Sequence, residues 1–144
     1  MSDIREKLRN LRRLGYYKRR AQEELAELIT AYQLLTVNVG VGGRSGKISD
    51  PVGNTVVKVY EARESYAETW QEFNDEVEEV KEMVKALPDE LRRIVEDYYI
   101  RGKTIRYIAN RMYYGRSTIC RKLDSAINLL QKNQRGTNGT NNGL

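Results

Sequence analysis

Residues 102–123 read GKTIRYIANRMYYGRSTICRKL, and this stretch decides the fold. Ile105, Ile108, Ala109 and Met112 fall on one face of a short helix, and a three-residue turn follows at Tyr113, Tyr114 and Gly115. A second helix then carries Ile119, Leu123, Ala126, Ile127 and Leu130 toward the same core. These spacings of three and four are the signature of amphipathic helices. Alanine at 109 suits a close crossing, because a larger side chain would push the two helices apart. Thr104 stands where a side-chain oxygen can cap the first helix, and Gly115 can cap the second. Tyr113 occupies the position after the first helix where a positive φ usually calls for glycine. The expectation is a helix-turn-helix.

Upstream, Leu87-Pro88 disfavours helix continuation and marks a boundary. Leu91, Ile94, Val95, Tyr98 and Tyr99 give residues 88–101 an apolar face. Helices at about 88–101, 104–112 and 116–131 make a trihelical domain over residues 88–132. It is near the lower size limit for an independent core. Residues 133–144 have no apolar period and read as a disordered tail.

Residues 1–87 have a different organisation. Val52, Val56, Val59, Arg63, Tyr66, Trp70, Phe73, Val77, Val80, Val84 and Leu87 alternate spacings of four and three without a slip. That is an a/d heptad seam broken only by Arg63. Ser49-Asp50-Pro51 reads as its helix start. A first long helix over residues 3–35 repeats Leu25, Leu28, Tyr32 and Leu35, and continues less regularly through Leu11, Leu8 and Ile4. Between them, residues 36–50 hold Gly40, Gly42, Gly43 and Gly46 and read as a flexible connection. Gly46-Lys47 has neither the first glycine nor the Ser/Thr of a phosphate-binding loop, since Val41 and Ile48 stand there.

If the two long helices fold back on each other, facing residues sum to about 87 in number. The basic residues between Arg5 and Arg20 then lie opposite Glu68, Glu72, Asp75, Glu76, Glu78, Glu79 and Glu82. Arg63 faces Glu24, a pair that would fix register. The fold class expected is therefore all-α: a long antiparallel, coiled-coil-like hairpin over 1–87, then the trihelical domain. A two-helix hairpin rarely buries both stripes, so a homodimer or higher homo-oligomer is expected.

Composition narrows the function. The chain has 144 residues, no histidine and one cysteine, Cys120. The commonest general base is missing, and a lone thiol cannot form a metal cluster. No catalytic residue, metal or cofactor is expected, and the reading is that of a non-enzyme. Neither an apolar run of bilayer length nor a secretory h-region occurs, which points to the cytoplasm and away from membranes. Net charge is +5, but residues 88–144 alone carry 11 basic and five acidic groups, while residues 51–87 carry four and nine. The excess positive charge lies on the helix-turn-helix segment, where phosphate attraction would need it. Arg116, Ser117, Cys120 and Arg121 are the residues expected at base edges. Lys103, Thr104, Arg106, Tyr107, Arg111 and Lys122 are expected on the phosphate backbone of double-stranded DNA.

Residues 87–130 resemble region four of bacterial sigma factors: Leu-Pro plus a helix, then Thr104…Ile108-Ala109…Met112, then Arg116-Ser117-Thr118-Ile119. The resemblance departs at Tyr113, Tyr114 and Gly115, where glycine, an aliphatic residue and Ser/Thr are usual. The whole layout, with Ile48-Ser49-Asp50-Pro51-Val52-Gly53-Asn54-Thr55 between two long helices, is similar to phage ArpU/RinA-type late transcription regulators and their relatives. The resemblance implies a phage or prophage activator of late genes, working in the cytoplasm of a bacterial host. Two other readings stay open: a small terminase-like DNA-packaging subunit, and an interaction protein that binds host RNA polymerase without touching DNA.

Overall fold

The computed structural model describes the backbone of residues 3–42 and 51–142, with side chains at 3–37 and 51–134. The described residues are all-helical, with no strand. Five helices follow in order: α1 (Ile4–Gly42), α2 (Pro51–Val84), α3 (Asp89–Val95), α4 (Ile105–Met112) and α5 (Arg116–Asn142). Pro51 opens α2, where its missing N–H costs no hydrogen bond. Of the expected glycine-rich connection, residues 36–42 belong to α1 and residues 43–50 lie outside the described residues. Of the expected tail, residues 133–142 belong to α5, and residues 143–144 lie outside the described residues.

The chain divides into two compact units, Met1–Tyr16 with Phe73–Leu144, and Tyr17–Glu72. The larger unit holds the core. Ile4, Leu8 and Leu11 of α1, with Phe73, Val77, Val80 and Val84 of α2, join one cluster with Ile94, Val95, Tyr99, Ile108, Ala109 and the inward face of α5. Within it α1 lies on α2, and Lys7 Nζ bridges Glu79 at 2.6 Å and Glu76 at 3.7 Å. At Leu87 the chain turns, with the Leu87 N–H donating to the Val84 carbonyl, and Pro88 precedes α3 at φ −55° and ψ 151°. Asp89 and Glu90 in the first turn of α3 suit the positive end of its dipole.

The helix expected over 88–101 is not uniform. After Val95 it widens into a π-helical turn, Glu96–Ile100, and the Arg101 N–H donates five residues back to Glu96. The wider turn accommodates Tyr98 and Tyr99, whose rings meet edge to face at 4.8 Å, with Tyr99 in the core. Gly102, at φ 72°, then reverses the backbone, a conformation that a Cβ would strain.

In the smaller unit α1 and α2 run antiparallel. Ile29, Tyr32 and Gln33 share a groove with Val56, Val59, Tyr60 and Arg63, while Ala21, Glu24 and Leu28 share another with Lys58, Glu61, Ala62 and Ser65. Arg63 and Glu24 are both exposed, and no ion pair joins them. The fully buried side chains all lie in the larger unit. Regularity and burial are thus inverted along α1: the irregular end at Ile4, Leu8 and Leu11 is sealed, whereas Leu25, Leu28 and Leu35 are half-buried. A helix with one neighbour buries a narrow, regular stripe. A helix held by several neighbours buries a wider arc, in which no strict repeat is needed.

Candidate nucleic-acid interface

α4 begins as its sequence dictates. Thr104 is extended at φ −81° and ψ 159°, and its Oγ1 accepts the Tyr107 N–H at 3.0 Å. At the other end Tyr113 adopts the left-handed conformation, φ 61° and ψ 39°, with its side chain 94% exposed. Its N–H and that of Tyr114 both reach the Ala109 carbonyl, which closes the helix. Gly115 supplies the first carbonyl of α5, accepting the Ile119 N–H at 3.2 Å. Ala109 and Ile119 are both buried in the core that α4 and α5 share.

Packing of Ile119, Leu123 and Ile127 fixes which face of α5 turns outward. Arg116, Ser117, Cys120 and Arg121 are all exposed on its first two turns. None of the four is in an ion pair among the described residues, and the Cys120 thiol is free. Arg106 is exposed on α4. Lys103, Tyr107 and Arg111 follow at helical spacing along one edge: Lys103 Nζ stands 4.9 Å above the Tyr107 ring, and Arg111 Nη1 donates to the Tyr107 hydroxyl at 3.0 Å. That edge borders a polar groove walled also by Arg92, Arg93 and Arg101. Two of the groove's carboxylates are engaged, Asp89 by Arg92 and Asp97 by Arg101.

Lys122 is held differently from the others. The Tyr114 hydroxyl donates to Glu90 on α3, and Lys122 Nζ lies 3.5 Å from the other carboxylate oxygen and 4.9 Å above the Tyr114 ring. The hydrogen bond from Tyr114, helped by the charge of Lys122, holds the Glu90 carboxyl below its ordinary range. The same bond pushes the Tyr114 phenol above its own. The trio ties the turn to α3 and offsets part of the Lys122 charge.

Sequence reasoning missed the contribution of α1. Arg5 Nη1 pairs with Asp124 at 3.3 Å, neutralising the one acidic residue between Arg116 and Gln134, one turn beyond Cys120. Asp3 accepts from Gln131 at 2.7 Å. Arg12 lies 3.9 Å over the Tyr98 ring and donates to the carbonyls of Tyr98 and, at 3.1 Å, Lys103. It therefore fastens the loop that leads into Thr104. Burial pushes the Tyr99 phenol up, against the pull of the nearby Arg5 and Arg9 charges. The available signal was the i, i+4, i+7 placement of Ile4, Leu8 and Leu11, which left Arg5 and Arg12 together on one flank.

No group of three or more potential metal ligands stands together among the described residues. No described helix is long and apolar enough to cross a membrane. No protein-family model, curated protein or solved structure matches the chain.

Proposed function

We propose that α4, the turn and α5 form a helix-turn-helix that binds double-stranded DNA sequence-specifically, and that the protein is a transcription regulator. The observation that carries this reading is the outward face of α5. Two arginines, a serine and a cysteine stand exposed on the first two turns of a helix whose other face is locked into a core. A helix so mounted can enter a major groove about 12 Å wide, and an arginine on it can make a bidentate contact to guanine. Pairing of Asp124 with Arg5 supports the reading, since it removes a charge that would repel phosphate. The row Lys103, Tyr107 and Arg111 suits backbone contacts that set register.

The half-buried seam of the smaller unit supports a homodimer, in which a second copy would cover Tyr32, Val57, Tyr60 and Trp70. The sigma-like and ArpU/RinA-like resemblance implies activity at phage late promoters in a bacterial cytoplasm, with host RNA polymerase as a further partner. Binding-site selection from random duplexes tests the reading. Wild-type protein should select one site, and Arg121→Ala should relax preference at one base pair by about 1–3 kcal/mol, roughly 5- to 150-fold. Failure to retard any duplex at low salt would overturn it. Genome-wide mapping in the host separates a promoter from a packaging site.

A further inference from the structure

We propose that Arg9 and Arg13 of α1 form a phosphate clamp beside α5, so that the DNA-binding surface extends onto the N-terminal helix. The inference rests on the DNA-binding reading above and adds to it residues far from α4 and α5 in sequence. By charge alone, the N-terminal arginines belong with the acidic residues of α2. Yet in the larger unit it is Lys7 that takes up that role, bonding Glu76 and Glu79. Arg5 turns to Asp124 on α5, and Arg12 to the carbonyls of the loop before α4. Arg9 and Arg13 are exposed, and neither forms an ion pair among the described residues, although Glu6 is one turn from Arg9.

Their direction follows from helix geometry. At 3.6 residues per turn, Arg9 lies about 40° around α1 from Arg5 and about 60° from Arg12. Those two are the arginines that touch the α4–α5 assembly; along the axis Arg9 stands between a contact to α5 and a contact to the Lys103 carbonyl, and by angle it lies outside both, on the Arg5 side. Arg13 lies about 40° further out, one turn on. Asp124 is only about 4.5 Å along α5 from Arg121. A helix with its first two turns in a major groove meets the groove's edge at about that point, and the edge is phosphate. The backbone of α1 is fixed there by Ile4, Leu8 and Leu11 in the core, so the two guanidinium groups are carried on a rigid element.

The test measures duplex affinity against potassium chloride concentration for wild type, Arg9→Ala/Arg13→Ala and Arg9→Lys/Arg13→Lys, with thermal melts confirming that the exposed substitutions leave the fold intact. For every phosphate the protein ceases to neutralise, the slope of log K against log salt falls by about 0.9. The alanine pair should therefore lose about 1.8 and bind roughly 60-fold more weakly at about 0.1 M salt. Its site preference should be unchanged, and the lysine pair should keep the slope. An unchanged slope in the alanine pair, with wild-type binding and the Arg121→Ala effect intact, overturns the clamp and leaves the DNA-binding reading standing. Altered site preference in the alanine pair overturns it too, since phosphate contacts carry no base information. Wild-type protein that binds no duplex overturns both.

Discussion

Replacing Tyr113 by glycine should stabilise this protein, against the usual cost of removing an aromatic side chain. Tyr113 is the only non-glycine residue with positive φ among the described residues, at φ 61°. An L-residue there brings its Cβ too close to the following carbonyl, at about 1–2 kcal/mol. Glycine removes that clash but gives the unfolded chain more freedom, worth about 0.5–1 kcal/mol in the other direction. The ring is 94% exposed, so its removal forfeits almost no burial. The balance is a gain of about 0.5–1 kcal/mol. For a unit the size of the larger one this raises its melting temperature by roughly 2–6 °C. Calorimetry and urea unfolding followed by far-ultraviolet circular dichroism would read the shift. Tyr113→Ala is the control, because it removes the ring and keeps the Cβ; it should leave stability nearly unchanged. A glycine variant that melts lower, or an alanine variant that gains as much as glycine, would refute the argument.

Leu8→Ala should destabilise the larger unit by about 2–5 kcal/mol, as a buried leucine in any core does. Urea unfolding monitored by hydrogen exchange at amides of α5 reads it, and protection there that ignores Leu8 would mean that α3–α5 stand without α1. Tyr114→Phe tests the contact between the turn and α3 through pH. Glu90 is held below the ordinary carboxylate range, so its contribution is full above the unfolded value of 4.5 and fades as pH falls through the folded one. Tyr114 is held above 10.0, so its contribution is full below that value and fades as pH rises through the folded one. The stability gap between wild type and the phenylalanine variant should therefore be flat near neutrality and narrow at both extremes; a gap that does not vary with pH would count against the bond.

Local chemistry was legible in the sequence wherever a residue's own neighbours determine its conformation. Thr104 as a cap, the helix stop at Tyr113 and the start of α5 after Gly115 all depend on a few residues, and all could be read. So could the all-helical class and the packing of α1 on α2, because heptad spacing is periodic information. The π-helical turn at Glu96–Ile100 was not, since it is the last turn of its helix and no apolar residues follow in that helix to show the shift in register. Nor were the partners of Arg5 and Arg12. A guanidinium group can satisfy a carboxylate on α2, a carboxylate on α5 or a pair of backbone carbonyls, and charge counting sees only the first two. Backbone carbonyls carry no signature in sequence, so a residue that bonds to them is invisible until the fold is known.

Asp3 and Gln131 are 128 residues apart, and Arg5 and Asp124 are 119 apart. The core that backs α5 is thus closed by side chains from opposite stretches of the chain. During synthesis Ile4, Leu8 and Leu11 emerge early and wait for partners that emerge more than a hundred residues later. Closing a loop that long costs entropy of roughly 4 kcal/mol beyond a constant, which grows only slowly with length. Pairing of α1 with α2 reduces what remains to be closed, because it brings Leu8 beside residues that are less than fifty positions from Ile119. The hairpin then acts as a folding template as well as a packing surface. A fragment cut at Pro88 would have to assemble α3–α5 without that template and without the eight core side chains that α1, α2 and Leu87 supply.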